Sequence, residues 1–231
     1  MSAGAPLPEL GGGAPGPGLI EPHAQPSPRP ALASPLTEAE VQALGAGFAV
    51  IRDGLLGAEL TRDVRSEVVA LWRDGLLTPA AIGRGPGRAR RPDVRGDVTC
   101  WLEPTPERPA LARLHAFFTA LGDEVNEAAW LGLRAFDVQV ALYPGGGARY
   151  LRHRDTFRGR AERRLTAIWY ANPGWCPSDG GALRVHEPGA SRSIAPVADR
   201  LVLFRSDVLE HAVAPSRSQR VALTAWYRGA P

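Results

Sequence analysis

The chain has 231 residues, 44% of them hydrophobic, a net charge of +3 and two cysteines. This length supports one domain or at most two, with enough apolar content to bury a core. All 27 basic residues are arginines. That excludes a phosphate-loop lysine, a Schiff base with pyridoxal phosphate or a carbonyl substrate, and a lysine anchor for an acidic cosubstrate. The charge is too small to indicate nucleic acid. Cys100 and Cys176 form neither a CxxC metal pair nor a disulfide scaffold, and they suit a reducing compartment. The sequence shows no basic segment leading into an apolar run and no apolar stretch of about 18 residues. It therefore predicts no signal peptide, no membrane span and a cytoplasmic location.

Residues 1–35 are rich in Pro, Gly and Ala, and this predicts a disordered tail, because little burial is available to offset the entropy of ordering. One domain is expected over 36–231, with helical support at 36–130 and a β core at 131–228. Thr37-x-x-Glu40 reads as a capping box that opens a short helix, and 47–51 as a first strand. Leu60, Val64, Val68, Leu71 and Trp72 share one helical face over 58–74, with Gly75 as C-terminal cap. The Gly/Arg/Pro-rich stretch from Ile82 to Arg95 predicts a mobile basic loop, and a strand follows at 97–102. A second long amphipathic helix spans 107–129 through Leu111, Leu114, Phe118, Leu121 and Val125. After Leu133, short apolar runs alternate with turn residues: 135–143, 149–153, 165–171, 182–186, 192–194, 200–204, 210–213 and 219–228. Short strands in this pattern predict a mostly β protein, a double-stranded β-helix (jelly roll) with two or three flanking N-terminal helices.

The chemistry is most restricted by His153-x-Asp155, by His211 56 residues after Asp155, and by Arg220 nine further on. Two imidazoles and a carboxylate can hold one face of an octahedral metal and leave the opposite face open. This is the usual arrangement for a non-haem Fe(II) that activates oxygen. His153 and Asp155 lie two apart in a strand-like stretch, which predicts both side chains on one side. His211 is distant enough to sit on another strand. A 2-oxo acid can take two open positions through its keto oxygen and C1 carboxylate, leaving the third for O2. Its decarboxylation to succinate and CO2 supports hydroxylation of an unactivated C–H bond. The far carboxylate of such a cosubstrate needs a buried cation, since an unpaired buried charge costs several kcal/mol. Arg220 heads a strand and offers a bidentate guanidinium, and Tyr170 and Thr224 are placed to add hydroxyl groups.

Alone, an HxD pair in an arginine-rich chain carries little weight. The distal histidine and the arginine nine later, within a jelly-roll pattern, supply the rest. His23, His115 and His186 fit no constellation. Arg149, Arg152, Arg154, Arg158, Arg160, Arg163 and Arg164 crowd the HxD segment, either as a solvated rim or as a basic lip that guides substrate. Trp101 and Trp226 read as core residues.

From Gly47 to Trp226 the chain resembles the 2-oxoglutarate/Fe(II) dioxygenases of the prolyl 4-hydroxylase group. Within that group it resembles the oxygen-sensing (hypoxia-inducible-factor type) prolyl hydroxylases and their bacterial relatives. The resemblance is carried by 95–101 (Arg-Gly-Asp-Val-Thr-Cys-Trp), by 143–155 from Tyr-Pro-Gly to His-x-Asp, by 169–172, 180–184 and 199–207, and by 220–227. It implies that His153, Asp155 and His211 ligate iron and that Arg220 with Tyr170 binds the 5-carboxylate of 2-oxoglutarate. Tyr143 then lines the cosubstrate or metal-water side, and Leu183 packs against the cosubstrate. Tyr150, Arg163 and Trp226 face a prolyl substrate, and 82–95 matches the substrate-covering loop. Residues 155–163 are one longer than the family pattern, so the role of Arg163 can slip to Arg164. The 1–35 tail has no counterpart. Implied cofactors are Fe(II), 2-oxoglutarate and O2, with ascorbate as reductant. An all-arginine, Ala/Gly/Pro-rich composition looks like a high-GC bacterial genome, which makes elongation factor Tu the implied protein target.

Other readings use the same residues. A small-molecule or free amino acid hydroxylase shares the pocket motifs, and the basic loop is what favours a peptide. A nucleic-acid demethylase would want a second arginine soon after Arg220 on its strand, and residues 221–227 contain none. A non-catalytic metal- and ligand-sensing jelly roll is the reading from a different class, and the filled catalytic positions count against it. Halogenases of this fold lose the carboxylate ligand, so Asp155 points to hydroxylation.

Overall fold

Thr37 and Glu40 close the expected capping box: the Glu40 amide donates to Thr37 Oγ1 at 3.3 Å and the Thr37 amide to Glu40 Oε2 at 2.8 Å. This starts α1 (Glu38–Gly45). In the computed structural model, Met1 and residues 35–83, 89–156 and 163–229 are described. The expected tail, the centre of the 82–95 loop, His23, Arg158 and Arg160 fall outside the described residues.

The first strand, β1 (Val50–Asp53), begins later than the expected 47–51. Gly47 turns with φ 85°, and the amides of Gly47 and Phe48 donate back to Leu44 and Ala43 to finish α1. The Ala49 amide is taken by Glu187 at 3.0 Å, so these residues have no donors left for a sheet. The two long helices, α2 (Gly57–Arg73) and α3 (Pro109–Ala129), lie where apolar periodicity puts them. The strand expected at 97–102 is β3 (Val98–Trp101), preceded by a two-residue β2 (Thr78–Pro79) with no apolar signature.

Eight further strands follow: β4 (Leu133–Tyr143), β5 (Ala148–His153), β6 (Arg163–Tyr170), β7 (Leu183–Glu187), β8 (Ala190–Ile194), β9 (Arg200–Arg205), β10 (Glu210–Ser216) and β11 (Arg220–Gly229). They form two antiparallel sheets, a major one in the order β1-β9-β6-β11-β4-β3-β2 and a minor one in the order β5-β10-β7-β8. The fold is therefore mostly β, a jelly roll with three helices on one side.

Two apolar layers hold it together. The outer face of the major sheet presents Val140, Leu142, Trp169, Leu203, Leu223 and Tyr227 to Leu111, Leu114, Phe118 and Leu121 of α3 and to Val64 and Val68 of α2. Its inner face presents Tyr143, Ile168, Tyr170, Phe204 and Ala222 to Leu183, Val185 and Val213 of the minor sheet. Strands β6 and β9 are covered on both sides, so their sequences read as continuous apolar runs without alternation.

Neither long helix caps its own N-terminus with a side chain. The orphan amides are served from elsewhere by carboxylates, which also suit the positive end of the helix dipole. Glu67 of α2 accepts from the Ala110 and Leu111 amides at 3.0 and 2.9 Å. Asp199, buried in the turn before β9 at φ 55°, accepts from the Leu56 and Gly57 amides at 2.9 and 2.7 Å and from the Trp169 indole at 2.9 Å. One carboxylate thus ties α2 to the centre of the major sheet. Asp199→Ala leaves the buried Trp169 indole and two part-buried helix amides unpaired and is expected to cost about 2–4 kcal/mol, read as a lower midpoint in urea unfolding. An unchanged midpoint would show that water serves those donors.

Candidate active site

His153 ends β5 and His211 opens β10, and the two are direct cross-strand partners in the minor sheet. Their rings lie 4.3 Å apart. Asp155 sits two residues past the end of β5, so the expected strand alternation does not orient it; the bend after the strand does. Its carboxylate oxygens lie 3.5 Å from His153 Nε2 and 3.7 Å from His211 Nε2. One ligand atom from each of the three residues falls within 4.8 Å of the others, a cradle of the size and donor set that suits Fe(II).

Neighbours prepare each group for that task. His153 Nδ1 lies 2.8 Å from the Leu151 carbonyl. A carbonyl can only accept, so the proton belongs on Nδ1 and the Nε2 lone pair faces the metal position. Tyr150 stacks on the same ring at 3.7 Å and 18°. Burial pulls His211 down to about 4, against the opposing influence of Asp155, so it is neutral and able to ligate at pH 7. Burial alone would raise the Asp155 carboxyl, but His211 and His153 hold it well below the usual carboxylate range. Thr166 Oγ1 donates to Asp155 Oδ2 at 2.8 Å and meets Ser206 Oγ at 2.8 Å.

Behind the triad lies Arg220, 3% exposed at the start of β11. Among the described residues no carboxylate pairs with it. Its Nε donates to the Gly181 carbonyl at 2.8 Å, and its guanidinium lies 4.8 and 4.9 Å from the rings of Tyr143 and Tyr170. The Tyr170 hydroxyl is buried without a hydrogen-bond partner, and burial raises its pKa. Leu183 is fully buried beside the two tyrosines. A buried cation and an unsatisfied hydroxyl side by side make a receptor for an anion. Thr224 lies on the same inner face, opposite Gln139 and between Arg220 and Trp226. Gly181, at φ 71°, allows the close approach: a Cβ there would stand 2.8 Å from both Arg220 Cδ and Ser216 Oγ. Asn172 fixes the strand next to Arg220, accepting from the Val221 amide at 2.7 Å and donating to the Val221 carbonyl at 3.0 Å.

In front of the triad a cavity of about 880 Å³ opens, lined by Tyr150, His153, Asp155, Arg163 and Trp226 and extending to Thr78 and Trp101. Trp101 is not a core residue: it is 53% exposed and meets the buried Trp226 edge-on at 5.8 Å. Arg163 and Arg164 are turned to different sides by an irregularity in the β6–β11 register, where Leu165 faces Tyr227 but Arg163 faces Arg228. The extra residue reverses the alternation, as bulges do. Arg163 therefore lies over the Trp226 ring at 3.9 Å, and Arg164 turns to the Leu131 carbonyl at 3.1 Å. Arg152 and Arg154 share one carboxylate, Glu210, at 2.7 and 3.6 Å, while Arg149 reaches the Asp93 carbonyl at 3.2 Å. His115 packs on Phe136 and His186 pairs with Ser191, and neither is among the clustered metal ligands.

Several supporting residues had no role in the sequence reading. Arg95 grips Asp97 with both arms at 2.7 and 2.8 Å, reaches Gln139 at 2.7 Å and faces the Tyr150 ring at 4.6 Å. The Arg-Gly-Asp stretch was visible as a motif. Thr166 lay outside every motif, and Asn172 and Ser206, although inside the stretches 169–172 and 199–207, had no role assigned, because each acts through a partner more than ten residues away.

This geometry defines a jelly-roll protein with a two-histidine, one-carboxylate metal centre. Residues 138–228 match the family described as the 2OG-Fe(II) oxygenase superfamily. Egl nine homolog 1 of Rattus norvegicus is 31% identical over 219 residues, covering 91% of this chain and 63% of that protein. Prolyl hydroxylase EGLN3 of Mus musculus is 31% identical over 191 residues, 78% of each. A prolyl-4-hydroxylase of Pseudomonas putida superposes with a TM-score of 0.74 at 34% identity, covering 84% of this chain and 98% of that one. A Trichoplax adhaerens prolyl hydroxylase, solved with a hypoxia-inducible-factor peptide fragment, gives 0.74 at 28% identity, covering 81% and 86%. The chain belongs to the 2OG-Fe(II) oxygenase superfamily, and the relatives EGLN3 and the Pseudomonas putida protein are named prolyl hydroxylases. It spans 63%, 54% and 43% of the rat, mouse and human Egl nine homologs 1.

Thr166→Val removes the hydroxyl that orients Asp155 and is expected to weaken Fe(II) binding about 10–100-fold, with Asp155→Ala weakening it further. Anaerobic titration calorimetry measures both. Wild-type affinity in Asp155→Ala would take that residue out of the metal centre.

Proposed function

We propose that this protein is an Fe(II)- and 2-oxoglutarate-dependent dioxygenase that hydroxylates a prolyl residue at the 4-position in a cytosolic protein. The observation that carries the reading is the buried, carboxylate-free Arg220 behind a two-histidine, one-carboxylate cradle, with a large cavity on the other side. His153, Asp155 and His211 hold Fe(II), and Arg220 with Tyr170 binds the far carboxylate of 2-oxoglutarate. Bound there, Fe(II) couples O2 to loss of CO2 from 2-oxoglutarate, leaving succinate and placing one oxygen atom on the target carbon.

The remaining residues bind and orient. Tyr143 and Leu183 wall the cosubstrate, and Thr224 adds a hydroxyl on the same sheet face. Tyr150 and Trp226 present aromatic faces to the prolyl ring, and Arg163 holds the Trp226 indole in place. A macromolecular target is supported by the open cavity mouth with exposed Leu76, Trp101 and Leu151, since a free metabolite needs no such rim. Cytoplasmic action is supported by two free cysteines. No described helix is long and apolar enough to cross a membrane.

Arg220→Ala removes the cation proposed to face the cosubstrate carboxylate and is expected to cost about 3–5 kcal/mol, seen as a steep rise in KM for 2-oxoglutarate. An unchanged KM refutes the anchor. Incubating the iron-loaded chain with 2-oxoglutarate, ascorbate and host lysate is expected to add about 16 Da to a protein proline by mass spectrometry. Elongation factor Tu, the target implied by resemblance, is one protein to inspect. Succinate formed without any modified protein proline would assign the enzyme to a small molecule instead.

A further inference from the structure

Residues 1–34 contain eight prolines but only two acidic residues, Glu9 and Glu21, and each acid directly adjoins a proline with large apolar neighbours. The two segments are Leu7-Pro8-Glu9-Leu10 and Leu19-Ile20-Glu21-Pro22. The rim of the cavity has the complementary character. Leu76, Trp101 and Leu151 are exposed apolar groups, all lining the cavity, as do Arg152 and Arg154. These two guanidiniums share the single carboxylate of Glu210, and their side chains are 57% and 46% exposed. The rim therefore keeps net positive charge beside apolar surface, which suits an extended segment with one carboxylate between leucines.

We propose that the chain's own N-terminal segment is a substrate in cis, with Pro8 and Pro22 as its target residues. The inference rests on the prolyl hydroxylase reading above. The reaction is balanced by that activity: one atom of O2 enters the proline C4–H bond as hydroxyl, and the other enters succinate as 2-oxoglutarate loses CO2.

Their acidic neighbours separate these prolines from Pro26, Pro28 and Pro30, none of which adjoins an acid. The Pro35 carbonyl accepts from Arg52 of β1 at 2.8 Å, at one edge of the major sheet. Thr166, which donates to Asp155 at the metal centre, lies on β6, two strand spacings from β1, or about 10 Å at about 4.8 Å each. A chain spans at most about 3.4 Å per residue, so Pro22 can lie as far as about 44 Å from Pro35 and Pro8 about 90 Å, enough to go round the sheet edge to the metal centre. Tethering then supplies the target at an effective concentration on the order of millimolar, so weak recognition suffices.

The test is to incubate the full chain with Fe(II) and 2-oxoglutarate and map modified residues by peptide mass spectrometry. Expected is a gain of about 16 Da on Pro8 or Pro22, absent from Pro26, Pro28 and Pro30, and absent without 2-oxoglutarate. The fraction modified per unit time should not change over about a hundredfold dilution, as an intramolecular reaction requires. Replacing both acids (Glu9→Arg with Glu21→Arg) should slow tail modification at least about tenfold while leaving hydroxylation of lysate proteins unchanged. An unmodified tail alongside hydroxylated lysate proteins would overturn this inference and leave the enzyme assignment standing. Modification that scales with protein concentration would overturn the cis route. If neither tail nor any other protein proline is modified, the prolyl hydroxylase reading falls as well.

Discussion

A guanidinium enclosed by protein with no carboxylate beside it is expensive to maintain, and much of this molecule can be understood as the structure that maintains it. Arg220 is supported by the Gly181 carbonyl and two tyrosine rings, which together offer partial charge but no full counter-ion. In a low-dielectric surrounding such a charge persists only if the rest of the fold over-determines its place. Asn172 pins the strand at Val221, Arg65 of α2 donates to Asn172 Oδ1 at 3.1 Å, and Gly181 leaves room for the side chain.

The metal cradle is built by a different principle. His153 and His211 are neighbours because two strands pair in register, so their relative position is as rigid as the minor sheet. Asp155 has no strand to hold it and depends on Thr166 across the cleft in the major sheet. The centre therefore joins the two sheets at one point. Any motion that separates them pulls a carboxylate away from two imidazoles, so the apolar layer between the sheets also determines the spacing of the donors.

Helix support reaches the site through carboxylates. Asp199 and Glu67 each satisfy two helix N-terminal amides that the local sequence leaves open, and Asp199 also holds Trp169, the residue before Tyr170. The helices thus do more than cover the outer face of the sheet: they register β6, which carries Thr166 and Tyr170 on its opposite face. On the solvent side, Arg152 and Arg154 share Glu210, so the lip stays positive where a target must enter.

Periodicity by itself determined the two long helices, the strand-rich second half and the jelly-roll class, because apolar spacing reports directly on which face is buried. The four most informative site residues were also legible, since His-x-Asp, a distant His and a following Arg are rare in combination. Tertiary structure decided the rest. A bulge turned Arg163 over Trp226 and Arg164 to the Leu131 carbonyl, a bend and not strand alternation aimed Asp155, and Trp101 proved to be a cavity wall. Thr166, Ser206, Asn172 and Asp199 act through hydrogen bonds to partners far along the chain. Asn172, Asp199 and Ser206 lie in stretches that carry the resemblance, yet nothing local gives them a role, because their value lies in which distant backbone or side chain folding brings beside them.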